Sequence, residues 1–305
     1  VRRKLATVSS SGEVRVTAAA MIILRMSFPY PAGLRGWWNS SRPEFSHMVN
    51  SGSLAMPFLE PYLIDVMKLA RARITDPALQ HDVDQYIAQE STHFRQHQQF
   101  NRRLADMGYR AVPEHEARLK ADYEALGKTR SLTFNIAYAE GFEAMGLCVG
   151  HMLVEDRAYL FGDADPAVSS LILWHFVEEI EHKTVTYDVF KALDGRYAWR
   201  IYGLLYATTH IFFRAWQGYR ALLIEDGRWF NIRNRLVVYG LLARMFSRLV
   251  PKLLRILKPG YDPRQVSDPS WVTAWWRMHQ EGRSGLGALD TTRLTEPEPV
   301  TAKVS

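Results

Sequence analysis

The sequence predicts an all-α protein: a four-helix bundle with extra C-terminal helices and an irregular N-terminal segment. Three observations carry this. Apolar residues recur at helical period over long stretches. Two Asp-Pro dipeptides, Asp76-Pro77 and Asp165-Pro166, each place an N-cap before a proline at the first helical position. Glycines at 108, 127, 162 and 195 follow where the periodicity stops. With 305 residues, 47% of them hydrophobic and 23% charged, the chain can bury a large core.

Residues 1–50 read as an extended or irregular covering. Val14-Arg15-Val16 and Ala18–Leu24 point to a strand near 13–27, and Pro- and Trp-rich sequence follows. The bundle proper is expected over 51–194. Its first helix runs from about 53 to 73, carries Glu60, and has an irregular first turn because of Pro57 and Pro61. The second runs over 77–107 and a shorter polar one over 112–126. Helices over 131–160, carrying Glu140, and 166–193 complete the set. The two halves repeat an architecture without repeating a sequence. Residues 195–282 predict a basic, aromatic-rich extension packed on the bundle, with helices near 197–225, 229–258 and 268–281. The tail 283–305, with Pro297 and Pro299, reads as disordered.

Function is carried by two E-x-x-H pairs, Glu90–His93 and Glu179–His182. Residues three apart share a helix face, so each pair offers a carboxylate and an imidazole to one point. A lone glutamate precedes each pair by one helix: Glu60 and Glu140. That is the ligand set of a ferritin-like carboxylate-bridged di-metal bundle. With seventeen Glu and ten His, chance alone supplies about half an E-x-x-H, so one copy means little. A third copy, Glu44–His47, lies in Pro- and Trp-rich sequence without helical pattern and is set aside. The bland alternative, glutamates on solvated faces, conflicts with the apolar neighbours of both pairs.

His175, Glu179 and His182 stand at i, i+4 and i+7, which adds a third imidazole to the stripe. The expected ligands are therefore Glu60, Glu90, His93, Glu140, His175, Glu179 and His182. His97, Glu143 and Glu178 are outer partners of these or additional ligands. Nitrogen and oxygen donors without thiolate favour two irons, or manganese, over zinc. Such a pair uses O2 as co-substrate. No G-x-G-x-x-G run marks a flavin or nicotinamide site, and the one cysteine, Cys148, excludes a cysteine-held Fe–S cluster and a disulfide framework. Electrons must then come from an external reductase or ferredoxin.

Charge is uneven. From Gly195 to Lys258 there are twelve Lys or Arg against Glu225 and Asp226, while the whole chain is +6. The excess suits an anionic partner or a solvated basic face. Nucleic acid is not expected, because no binding motif accompanies the charge. Peripheral membrane contact through residues 195–258 is an expectation. No apolar run is long enough to span a bilayer and no secretory signal is evident, so a cytoplasmic protein with a membrane-surface face is expected.

Residues from about 26 to 190 resemble the bacterial family named "predicted metal-dependent hydrolase". The resemblance rests on Ser53-Leu54-Ala55-Met56-Pro57 leading to Glu60, and on Asp76-Pro77-Ala78-Leu79. It continues in Gln89-Glu90-Ser91-Thr92-His93 with His97 and Asn101, and in Trp174-His175 with Glu178-Glu179-Ile180-Glu181-His182-Lys183. The chain departs from that family at Asp262, where the resemblance implies a histidine. The spacing of His175 to Glu179 also resembles di-iron p-aminobenzoate N-oxygenases, which implies an oxygenase site. The leading expectation is a di-iron oxygenase that hydroxylates or N-oxygenates a hydrophobic small molecule. A hydrolase using a metal-bound water is the alternative, and a membrane-associated metal-binding protein is third.

Overall fold

Four helices surround one buried centre in the computed structural model, which describes residues 6–8, 14–16, 21–24 and 26–280. They are α1 (Pro43–Arg71), α2 (Pro77–Asp106), α4 (Leu132–Glu155) and α6 (Pro166–Glu181). Between and beyond them come α3 (Ala111–Thr129), α5 (Arg157–Phe161), α7 (Val185–Leu193), α8 (Tyr197–Glu225), α9 (Ile232–Ile256) and α10 (Ser270–Gln280). Two three-residue strands, β1 (Ala6–Val8) and β2 (Val14–Val16), pair antiparallel, and β2 falls within the stretch expected to be extended. The chain is a helical bundle. The tail 283–305 lies outside the described residues.

The Asp-Pro signals act as their chemistry requires. Asp76 accepts from the Ala78 N–H and Asp165 from those of Ala167 and Val168, which satisfies donors that the first helical turn leaves free. Gly108 and Gly195 follow α2 and α7 with φ of 93° and 71°, a conformation that costs an L side chain energy. Gly127, by contrast, lies inside α3.

Three boundaries differ from expectation. Helix α1 starts ten residues early and runs unbroken through Pro57 and Pro61. Pro57 has no N–H for the Ser53 carbonyl, and Asn101 of α2 donates its Nδ2 to that carbonyl at 3.0 Å instead. The stretch 131–160 divides at Asp156 into α4 and α5, and 166–193 divides at His182–Thr184 into α6 and α7.

Helix α4 is buried on almost every side. Against α8 it packs backbone to backbone: a Cβ on Gly203 would lie 2.0 Å from the Ala137 carbonyl oxygen, and one on Gly141 2.4 Å from the Leu204 nitrogen. On the opposite side of the bundle the extended N-terminal segment is tied along α2. Gln85 accepts from Met21 N, Gln89 donates to Ile22 O and Gln96 donates to Met26 O. No helix among the described residues is long and apolar enough to cross a membrane.

Candidate metal centre

Helices α1, α2, α4 and α6, with the residue that caps α6, bring Glu60, Glu90, His93, Glu143, His175, Glu179 and His182 to one buried cluster, with His97 at its edge. Their donor atoms gather at two foci. At the first, His175 Nε2 lies 3.1 Å from Glu179 Oε1 and 3.9 Å from Glu60 Oε1, and His93 Nδ1 lies 3.5 Å from both Glu90 and Glu179. At the second, His182 Nε2 is 3.4 Å from Glu90, 3.4 Å from Glu143 and 3.3 Å from Glu179. Glu90 and Glu179 therefore belong to both foci.

Glu140 joins none of these groups. It sits one turn before Glu143 on α4, buried, with neither oxygen hydrogen-bonded, and Arg200 is the cation that acts on it. Spacing alone would allow both glutamates to face the cluster, since residues three apart share a helix face; the rotation of α4 turns Glu143 toward it, against His182 and Tyr86, and leaves Glu140 outside. Because α4 is buried all round, no polar face in the sequence marks which one. Burial pushes Glu140 up to about 8.

Each histidine turns one nitrogen to the cluster and has the other held by a neighbour. His93 Nε2 meets Glu178 at 2.9 Å, and Glu178 is itself fixed by the Trp174 indole N–H at 2.8 Å. His175 Nδ1 meets His97 Nε2 at 2.7 Å, and His97 is braced by Ser53 at 2.8 Å. His182 Nδ1 meets Gln89 at 3.0 Å, and Gln89 donates to Glu181 at 2.9 Å. This arrangement of outer partners fixes ring orientation and tautomer in metal-ligating histidines. Glu178 and His97 thus back candidate ligands, and His97 also comes within reach of Glu60 and His175 as a donor. Gln89 and Tyr86, whose hydroxyl donates to Glu143 at 2.7 Å, escaped the sequence reading. Gln89 directly precedes Glu90, but an amide or phenol beside a motif is too common to signal a role.

Burial and crowding of like groups set the electrostatics of the cluster. Burial, then Glu90, raises Glu60 well above the usual carboxylate range; burial, then Glu179, pushes Glu143 up to about 8. Burial also opposes charge on Glu179, yet the neighbouring imidazoles of His182, His175 and His93 hold it well below that range. Both Glu60 oxygens, Glu90 Oε1, His93 Nδ1 and His182 Nε2 are buried without a hydrogen-bond partner. Such groups cost free energy unless something satisfies them. The donor set fits one or two divalent metal ions, which Glu60, His93 and His175 at the first focus, Glu143 and His182 at the second, and Glu90 and Glu179 at both would hold.

The third motif copy proves helical, within the first turns of α1, but is spent elsewhere: Glu44 accepts from Arg228 and His47 meets Asp226 at 2.6 Å. Asp262 lies outside the cluster too, capping the 3-10 turn Pro263–Gln265.

A family model described as "predicted metal-dependent hydrolase" matches residues 24–267. The chain belongs to that family. Neither curated proteins nor solved structures give a match. Membership agrees with a metal centre and an enzyme, and the cluster lies entirely within the matched residues.

Beside the centre lies a cavity of about 520 Å³, between α1, α4, α6, α8 and α9. His97, His175 and Glu179 form its polar end, and Met56, Phe142, Met145, Phe176, Phe212 and Leu249 are among the apolar groups that line the rest. Its size suits a small molecule, and its methionines allow it to adapt in shape.

Proposed function

We propose that this protein is a di-iron oxygenase that uses O2 to hydroxylate or N-oxygenate a hydrophobic small molecule. The observation that carries the reading is the junction of two features: a thiolate-free cluster with two shared carboxylates, and an apolar cavity that ends on His175 and Glu179. Three histidines and four glutamates suit iron, and manganese takes the same donors. When bound, reduced iron supplies the binding and reduction of O2, chemistry that side chains alone lack.

The chain's own residues orient and shield. The outer partners Glu178, His97 and Gln89 hold the three imidazoles in fixed poses before metal arrives, so little reorganisation is needed. The cavity excludes water from the reacting bond and presents the substrate to the Glu179 side of the cluster. Overall, a substrate C–H or N–H takes up one oxygen atom and the other leaves as water. Two electrons and two protons complete the balance, delivered by an external reductase or ferredoxin.

The family description favours a second reading, hydrolysis by a metal-bound water. Against it, the cavity offers few polar groups beyond Ser53, His97, His175 and Glu179 to recognise an ester or amide. One experiment separates the two. Protein from iron-replete cells is assayed for metal, examined by Mössbauer spectroscopy, then reduced and exposed to O2. Two irons per chain and O2 uptake are expected. A single zinc per chain, with turnover of acyl substrates in the absence of O2, would replace the oxygenase by the hydrolase.

A further inference from the structure

Helix α9 carries an apolar face that nothing among the described residues covers. Ile232, Leu236, Tyr239, Phe246, Val250 and Leu254 share one side of it and are between 43% and 64% exposed. Isolated exposed leucines are ordinary, but a continuous stripe along a whole helix marks an interaction surface. One flank of the stripe is basic: Arg233, Arg248 and Arg255 are all exposed. The helix has six Lys or Arg and no acid. Arg244 and Lys252 pair with Asp156 and Glu155 of the bundle, whereas Arg233 and Arg255 form no ion pair among the described residues.

Phe246 links this face to the interior. It is 44% exposed, yet it lines the cavity beside the metal centre, together with Leu242, Met245 and Leu249 of the same helix. Phe212 of α8 closes against it with ring centroids 6.1 Å apart. The apolar stripe and the apolar cavity are therefore continuous through one side chain.

The occupant must be apolar at its centre and anionic at its edge. A second copy of this chain fails the second condition, because two α9 helices would set cations against cations with no acid on either. An anionic phospholipid surface meets both, by burying the apolar stripe and attracting the arginines. Building on the oxygenase reading for the cavity's role, we infer that α9 docks in the plane of an anionic membrane surface and that the substrate is an apolar molecule taken up from the bilayer past Phe246.

The test uses the metal-loaded full chain and vesicles of phosphatidylcholine, alone or mixed with phosphatidylglycerol. Co-sedimentation is expected with the mixed vesicles and is expected to weaken with salt. Arg233→Gln with Arg255→Gln should lower the partition coefficient about fivefold per charge, or about 25-fold together. Leu236→Glu with Val250→Glu should abolish binding while helicity and metal content stay unchanged, since both side chains are exposed. Pyrene dissolved in anionic vesicles should pass into the parent protein and not into this double variant, although both take up pyrene offered in water. The inference is overturned by any of three results: no sedimentation with mixed vesicles, equal binding or equal pyrene transfer by the Leu236/Val250 variant, or a dimer in light scattering that Leu236→Glu disperses. Vesicle binding needs no turnover. Docking with no O2 uptake would remove the oxygenase and leave the membrane surface; O2 uptake without docking would do the reverse.

Discussion

Exchanging Glu140 for glutamine tests the division of labour between two glutamates one turn apart on α4. Glu140 is buried without a hydrogen-bond partner, and burial lifts it from 4.5 to about 8 against the pull of Arg200. At neutral pH the folded protein thus keeps a proton that the unfolded chain releases. The stability from this group is complete below about pH 4.5. It falls by about 1.4 kcal/mol per pH unit above that and levels off past about pH 8. By pH 7 the accumulated loss is roughly 3 kcal/mol. Glutamine keeps the shape and has no proton to lose, so Glu140→Gln is expected to exceed the parent by about that amount at pH 7, with the difference shrinking toward pH 5. Urea unfolding followed by circular dichroism, on parent and variant with matched metal, measures the difference. Metal content of Glu140→Gln should equal that of the parent, while Glu143→Gln should bind metal at least tenfold more weakly. The reasoning fails if Glu140→Gln loses metal and Glu143→Gln keeps it, or if the stability difference is the same at every pH.

Other consequences follow from the packing and the cluster. Gly203→Ala forces a methyl group to within 2.0 Å of the Ala137 carbonyl oxygen, so α4 and α8 must separate; a loss of at least about 2–3 kcal/mol in unfolding free energy is expected. Chelation should destabilise the protein increasingly from pH 5 to pH 8. Glu60 is raised well above the carboxylate range and Glu143 to about 8, so without metal the Glu143 contribution is present at low pH and lost as pH rises toward about 8, with that of Glu60 falling in the same direction; thermal melts of loaded and chelated protein across that range read the widening gap. Gln89→Leu removes the acceptor that holds His182 and should weaken metal binding about 10- to 100-fold with helicity unchanged, as titration with Fe(II) would show. Gly52 lines the cavity with open space around it, so Gly52→Ala should stabilise α1 by about 1 kcal/mol without altering metal content.

Much of the architecture was legible because it rests on local chemistry. Asp76 and Asp165 cap helices through their own side chains, and E-x-x-H places two donors on one helix face whatever surrounds it. The start of α1 was not legible, because prolines argue against a helix unless a distant donor such as Asn101 replaces the missing N–H. Nor was the break at His182 that divides α6 from α7.

By itself, the sequence determined the helical order, the candidate metal-ligand set and the pairing of Glu90–His93 with Glu179–His182. These follow from residue type and from helical spacing, which are properties of neighbours in the chain. The tertiary structure alone decided that Glu143 and not Glu140 faces the cluster, and that Glu178, His97 and Gln89 brace its histidines. It also decided that an apolar cavity joins the centre to the exposed face of α9. Each of these depends on the rotation of one buried helix against another; for α4 the close approach to α8 at Gly141 and Gly203 fixes it.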